Sequence, residues 1–300
     1  MTLRTSLLCI SLLLPGLGQV QAAINVFTCE PEWATLAKEL GGDQLEIYSA
    51  TTALQDPHHI QARPSLIAKA RKADLLICTG AELETGWLPL LLRKAGNARI
   101  QAGQPGHFLA AEHVDMLEVP EILDRSLGDV HASGNPHIHT DPRNIIRVAG
   151  QLHKRLIGID PDNAAIYTKR YMAFEREWRK AINAWSERAV PLKGAKVVVH
   201  HDYWSYLIHW LGLDKVATLE PVPGVVPSTR HLSQVKQLLN THRALMIIDT
   251  NYMNDRPVLW LSKQTGITVV TLPATVDFQG GETLHQWFEN IIGLIGEPVK

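Results

Sequence analysis

Two short apolar runs limit what this chain can fold into more than any other feature. One is Leu75-Leu76-Ile77-Cys78, introduced by Ala73-Asp74. The other is Leu245-Met246-Ile247-Ile248, introduced by Ala244 and closed by Asp249. Neither alternates apolar with polar residues. A strand that is apolar on both faces belongs in a sheet covered on both sides, the usual situation of a parallel sheet flanked by helices.

The segments around each run repeat one plan. In the first half, 24–27 reads as a strand, 33–40 as a helix stopped by Gly41-Gly42, and 45–48 as a second strand. Pro64 then opens a helix that feeds the apolar run. In the second half, 196–200 reads as a strand, 203–210 as a helix closed by Gly212, and 233–239 as a helix feeding the second apolar run. The first and later strands lie a similar distance apart in each half. The expected fold is therefore α/β with two similar lobes, each a small, mostly parallel sheet flanked by helices.

Between the halves lies one long helical pattern, opened by Asp160-Pro161 and closed before Pro191. Tyr167, Tyr171, Phe174, Trp178, Ile182 and Trp185 recur every three or four residues, which places them on one stripe with charged residues mostly away from it. A rod of that length joins the lobes and limits hinge motion between them. The layout expected is a leader at 1–22, an N-terminal lobe at 23–159, a connecting rigid helix at 160–190 and a C-terminal lobe at 191–300.

The leader is read from Arg4, the apolar stretch at 7–14 and the small-residue site Val20-Gln21-Ala22. This is the pattern of a cleavable secretory signal, with the cut near Ala22. In an oxidising compartment Cys29 and Cys78 either pair or lie deeply buried. Both fall at or just past the carboxyl ends of strands expected to be neighbours, so a disulfide and two small buried hydrophobes are the alternatives. The charge balance of 29 basic and 30 acidic groups gives no reason to expect nucleic acid or an anionic membrane as partner.

The chain carries 14 histidines but only 5 phenylalanines. His58, His137 and His201 come from three separate segments, at loops expected on the crevice side of the lobes. Imidazoles converging there suit a tetrahedral metal site, and such ligands need not be close in sequence. His59, His139 and His200 adjoin them as supporting groups or solvated bystanders, and strand alternation sends His200 and His201 to opposite sides. A metallohydrolase lacks its parts. His137-Ile138-His139-Thr140-Asp141 begins like a His-x-His-x-Asp-His cluster, but Pro142 follows and Asp141-Pro142 reads as a helix start. His-Glu-x-x-His, Gly-x-Ser-x-Gly and a phosphate-cradling glycine loop are all missing from the sequence.

The motifs together resemble the soluble substrate-binding proteins of bacterial zinc and manganese ABC transporters, the cluster A-I family, over essentially the whole chain after the leader. The resemblance is carried by Asp56-Pro57-His58 followed by Arg63-Pro64-Ser65, and by Ala73-Asp74-Leu75 leading to Thr79-Gly80-Ala81-Glu82-Leu83-Glu84 and Trp87. Asn135-Pro136-His137 and His201-Asp202 with Tyr206 and Gly212 complete it.

The resemblance implies metal ligands at His58, His137 and His201. The family's fourth ligand is a carboxylate near the end of the last core strand, where this chain reads Thr271-Leu272-Pro273-Ala274-Thr275-Val276. Asp277 is the nearest acid and the expected fourth ligand, with Glu282, a water or an open position as alternatives. Three imidazoles suit Zn²⁺ better than the oxygen-preferring Mn²⁺. The family's long histidine-rich loop is missing. His107, His113 and His131 are instead scattered over 103–134, a segment with a short helix expected at 119–127, and form either a flap beside the site or plain surface histidines.

The function implied is non-enzymatic: capture of Zn²⁺ in the periplasm by a monomer, then delivery to an ABC transporter membrane permease driven by a separate ATPase. A periplasmic metallochaperone is a further expected partner. The alternative is a metal-binding adhesin or metal chaperone that feeds no permease.

Overall fold

The computed structural model describes residues 23–120 and 131–299. The leader at 1–22 and most of the helix expected at 119–127 lie outside the described residues. In the N-terminal lobe β1 (Ile24–Thr28), β2 (Leu45–Ser49), β3 (Leu75–Cys78) and β4 (His107–Leu109) form a parallel sheet in the order β2-β1-β3-β4. In the C-terminal lobe β5 (Lys196–Val199), β6 (Asp214–Thr218), β7 (Met246–Thr250) and β8 (Thr268–Leu272) form a second parallel sheet in the equivalent order β6-β5-β7-β8. The two-lobe parallel architecture is the expected one, with β1 beside β3 and β5 beside β7.

Side-chain alternation explains why the central strands read as apolar throughout. Val26, Leu75, Ile77, Val197, Val199, Met246 and Ile248 point into one continuous core shared by both lobes. Their neighbours Phe27, Leu76 and Cys78 face a separate outer cluster of the first lobe, and Val198 and Ile247 face that of the second. Each sheet thus has two dry faces, as helix-covered parallel strands require.

The helices divide along the same lines. In the first lobe α1 (Pro31–Gly41) covers the inner face of the sheet, and α2 (Pro64–Lys72) and α3 (Leu88–Ala95) cover the outer face. Next come α4 (Pro142–Ile159) and the connecting helix α5 (Ala164–Ala189), 26 residues long and so about 39 Å. Asp160 does not cap α5. A short 3-10 turn at Pro161–Asn163 intervenes, and the Asp160 carboxylate accepts from Tyr167 Oη at 2.6 Å and Asn163 Nδ2 at 2.7 Å.

In the second lobe α6 (Ser205–Leu211) lies inside, and α7 (Thr229–Leu238) and α8 (Arg256–Thr265) cover the outer face. The last helix, α9 (Leu284–Gly296), returns to pack on α5 and α1. The aromatic stripe of α5 lies along this shared core. Trp178 Nε1 donates to Pro142 O at 2.8 Å on the N-terminal side, and Trp185 Nε1 donates to Glu289 Oε2 at 2.8 Å on α9. Cys29 and Cys78, at the ends of β1 and β3, form a disulfide with their Cα atoms 4.8 Å apart.

Candidate metal site

The site grows from three loops at the carboxyl ends of strands, in the crevice where parallel α/β sheets present their loops. After β2, Asp56 turns the chain by accepting from His58 N at 2.9 Å, and the same carboxylate oxygen accepts from His58 Nδ1 at 2.8 Å. After β5, His201 Nδ1 donates to Glu220 Oε2 at 2.7 Å, and Glu220 is itself steadied by Gly224 N at 2.8 Å. A carboxylate only accepts, so both rings carry their proton on Nδ1, an assignment made from the partner. Each Nε2 then offers a lone pair, that of His58 toward His131 Nε2 at 3.2 Å.

His137 is placed differently. Asn135 Oδ1 accepts from His137 N at 2.9 Å, and the imidazole stacks on the Tyr203 ring with centroids 4.0 Å apart. The side chain is only 1% exposed, yet both of its ring nitrogens lack a hydrogen-bond partner among the described residues. A buried polar atom left unpaired costs roughly 1–3 kcal/mol, so such an atom calls for an explanation. Burial, and then the neighbouring imidazoles of His201 and His58, hold its pKa well below the ordinary histidine value. A neutral ring with a free lone pair is what a divalent cation needs.

The three imidazoles expected from sequence are brought together, with ring centroids of His137 5.8 Å from His58 and 5.6 Å from His201. His137 and His201 border a cleft of about 210 Å³, also lined by Glu118, His131, Asn135 and Asp202. Pockets for small organic ligands are larger, about 300–1,000 Å³. The cleft's own carboxylates are already engaged: Glu118 by Asn135, Ser205 and Lys215, and Asp202 by Lys215 and Thr218.

Asp277 is not brought to the imidazoles. It sits in an exposed turn after β8, where its Oδ1 accepts from Gly280 N at 3.0 Å, and Glu282 closes the same turn by accepting from Asp277 N at 2.8 Å. Facing the crevice instead are Ala274, whose carbonyl takes Tyr203 Oη at 3.1 Å, and Thr275, whose hydroxyl donates to Glu32 Oε2 at 2.6 Å.

The other histidines separate cleanly. His200 Nδ1 donates to Asp249 at 2.7 Å in the second core, and His59 points outward. His139 lies behind His137, its Nδ1 3.4 Å from Glu32 and its ring against Trp287. His107 belongs to β4, a strand not expected from sequence, and bonds to Ile100 O. His113 packs on Phe108. Of the three histidines expected either on a flap or at the plain surface, only His131 lines the cleft. Sequence reasoning also missed Glu220 and Tyr203. Glu220 is 19 residues from the ring it orients and is legible only once β5 and β6 are known to pair.

Two parallel lobes tied by one long helix, with a small polar crevice between them, define a rigid two-lobe binding protein. The chain belongs to the family described as zinc-uptake complex component A, periplasmic, whose profile matches residues 26–296. It is similar to a manganese ABC transporter substrate-binding lipoprotein of Streptococcus gordonii, 25% identical over 82% of this chain and 78% of that one. A crystal structure of ZnuA superposes with a TM-score of 0.77 at 20% identity, covering 93% of this chain and all of the other. The binding protein FpvC of Pseudomonas aeruginosa in complex with Mn²⁺ superposes with a TM-score of 0.76 at 19% identity, over 93% of this chain and 99% of that one.

Proposed function

We propose that this chain is an extracytoplasmic solute-binding protein that captures Zn²⁺ between its lobes and hands it to an ABC permease for import. His58, His137 and His201 are the ligands proposed. The observation that carries this reading is His137, an almost fully buried imidazole with two unpaired nitrogens, flanked by two imidazoles whose outer nitrogens are held by carboxylates. Three nitrogen donors, with the cleft's carboxylates committed to Lys215 and its neighbours, favour Zn²⁺ over Mn²⁺. The protein does no chemistry on its cargo. The leader, cut near Ala22, sends it to the periplasm.

Isothermal titration of the purified chain with Zn²⁺ and Mn²⁺ tests the reading, repeated with His58→Ala, His137→Ala and His201→Ala. The expected result is tight binding of Zn²⁺, weaker binding of Mn²⁺, and a loss of at least a hundredfold in each variant. Equal Zn²⁺ affinity in all three variants would remove the site assignment. Protons compete with metal for imidazole nitrogens, so affinity also falls as the solution is acidified.

A further inference from the structure

We propose that His131 supplies the fourth ligand, making the site a closed set of four imidazoles in which neither Asp277 nor water takes part. The inference rests on the zinc-capture reading above and deepens it. Its starting point is a distance: His131 Nε2 lies 3.2 Å from His58 Nε2, with the ring centroids 5.3 Å apart. Two nitrogens bound to one tetrahedral Zn²⁺ at 2.0–2.1 Å are separated by about 3.3 Å. The pair already stands at the length of one edge of that tetrahedron.

Orientation agrees with distance. Asp56 fixes the proton of His58 on Nδ1, so His58 Nε2 accepts from His131 Nε2 at 3.2 Å, and an ion entering between them would take both lone pairs once the His131 proton moves to its Nδ1. His131 is carried by a segment tied at several points. Ser133 donates to Glu82 through its backbone N at 3.0 Å and through Oγ at 2.8 Å, Gly134 N donates to His131 O at 3.1 Å, and Asn135 N donates to Leu117 O at 2.8 Å. Gly134 takes φ +103°, a backbone conformation that L side chains rarely adopt, and this sharp turn joins His131 to the strand of chain leading to His137. His131 and His137 therefore border the same cleft.

The competing donors are spent elsewhere. Asp277 and Glu282 satisfy each other's turn, and the strand end nearest the crevice offers Ala274 and Thr275, neither of which is an acid. Among the described residues the one group of three ligand-type atoms that all lie within 4.8 Å of one another is Cys29, Cys78 and Glu84, whose sulfurs are joined in the disulfide, so the four imidazoles must draw together around the ion. Four neutral nitrogens carry the preference for Zn²⁺ over Mn²⁺ further than three.

X-ray absorption at the zinc edge of the full chain loaded with one equivalent of Zn²⁺ counts imidazoles directly, and Co²⁺ loading reports geometry through its visible spectrum. The expected wild-type result is four imidazoles and a tetrahedral Co²⁺ spectrum. His131→Asn should fall to three imidazoles plus one oxygen and bind Zn²⁺ about 10- to 100-fold more weakly, whereas Asp277→Ala should leave count and affinity unchanged. A wild-type count of three imidazoles plus oxygen overturns the proposal and leaves zinc capture standing, as does unchanged affinity in His131→Asn or a loss in Asp277→Ala. Failure of the wild-type chain to bind Zn²⁺ overturns both readings. Apo His131→Asn is expected to melt with the wild type, because the side chain lies at the cleft and outside the core.

Discussion

Glu220 Oε2 accepts the Nδ1 proton of His201 at 2.7 Å from the loop after β6, one strand away from the histidine it orients. Outer partners of this kind fix the tautomer and raise the basicity of a ligand, and their loss typically costs 10- to 100-fold in metal affinity. Glu220→Ala should therefore weaken Zn²⁺ binding by about one to two orders of magnitude. Isothermal titration, with circular dichroism to confirm the fold, checks this. An unchanged affinity would mean that His201 is oriented by something else.

The buried pair Glu30 and Glu84 gives a pH dependence of definite sign. Burial pushes Glu84 up to about 7, and burial with the nearby Glu84 and Glu32 charges pushes Glu30 well above its ordinary value. Between about pH 4.5 and 7 the folded chain keeps a proton that the unfolded chain has released, so this pair makes stability fall as pH rises through that window. Glu84→Gln, neutral at every pH, keeps an acceptor for Thr79 N. Its melting temperature relative to wild type should rise steadily from pH 5 to pH 8, and a constant difference would show that the pair does not titrate in this range.

The Cys29–Cys78 disulfide closes a loop of 49 residues between adjacent strands. A cross-link of that span stabilises by about 4 kcal/mol in the chain-entropy account. Replacing both cysteines by serine should lower the urea midpoint by a corresponding amount, and reductant should do the same to the wild type but not to the variant. Equal midpoints would show that native contacts already hold β1 against β3.

Wide hinge opening would split the core that the two sheets share and expose Val26, Leu75, Val197 and Met246. At about 25 cal/mol per Å² of apolar surface, such exposure is too costly for a resting state. Small-angle scattering should accordingly give radii of gyration for the apo and Zn²⁺-loaded chain that differ by less than about 1 Å. A larger contraction on loading would contradict the shared core as a restraint.

Much of this architecture was legible in the residues because central parallel strands and an aromatic helix stripe leave local patterns. The run at 75–78 and the spacing from Tyr167 to Trp185 needed no knowledge of distant contacts. β4 was hidden because three residues at a sheet edge, one of them His107, carry too little pattern to be distinguished from loop. Asp160-Pro161 does open the long helical stretch, but its first turn, Pro161–Asn163, is 3-10, and the Asp160 carboxylate binds Tyr167 and Asn163 rather than capping backbone N–H groups. His58, His137 and His201 could be picked out from their loops. What surrounds them could not, because Glu220, Tyr203 and His131 approach through strand pairing and a chain turn, which leave no local trace.

The path of α9 has a consequence for how the molecule is assembled. Although its residues follow the second sheet, Trp287, Phe288 and Ile291 join the core that also holds Trp33 and Leu36 of α1, and Leu284 N bonds to Glu39. The chain ends by closing over its own beginning. Two lobes that look like a duplicated unit should not survive as separate fragments: a piece stopped after α5 would lack the helix that seals it, and the remainder would carry an apolar helix with nothing to cover. The two halves fold as one, and any attempt to express or exchange a single lobe must carry the last helix with the first.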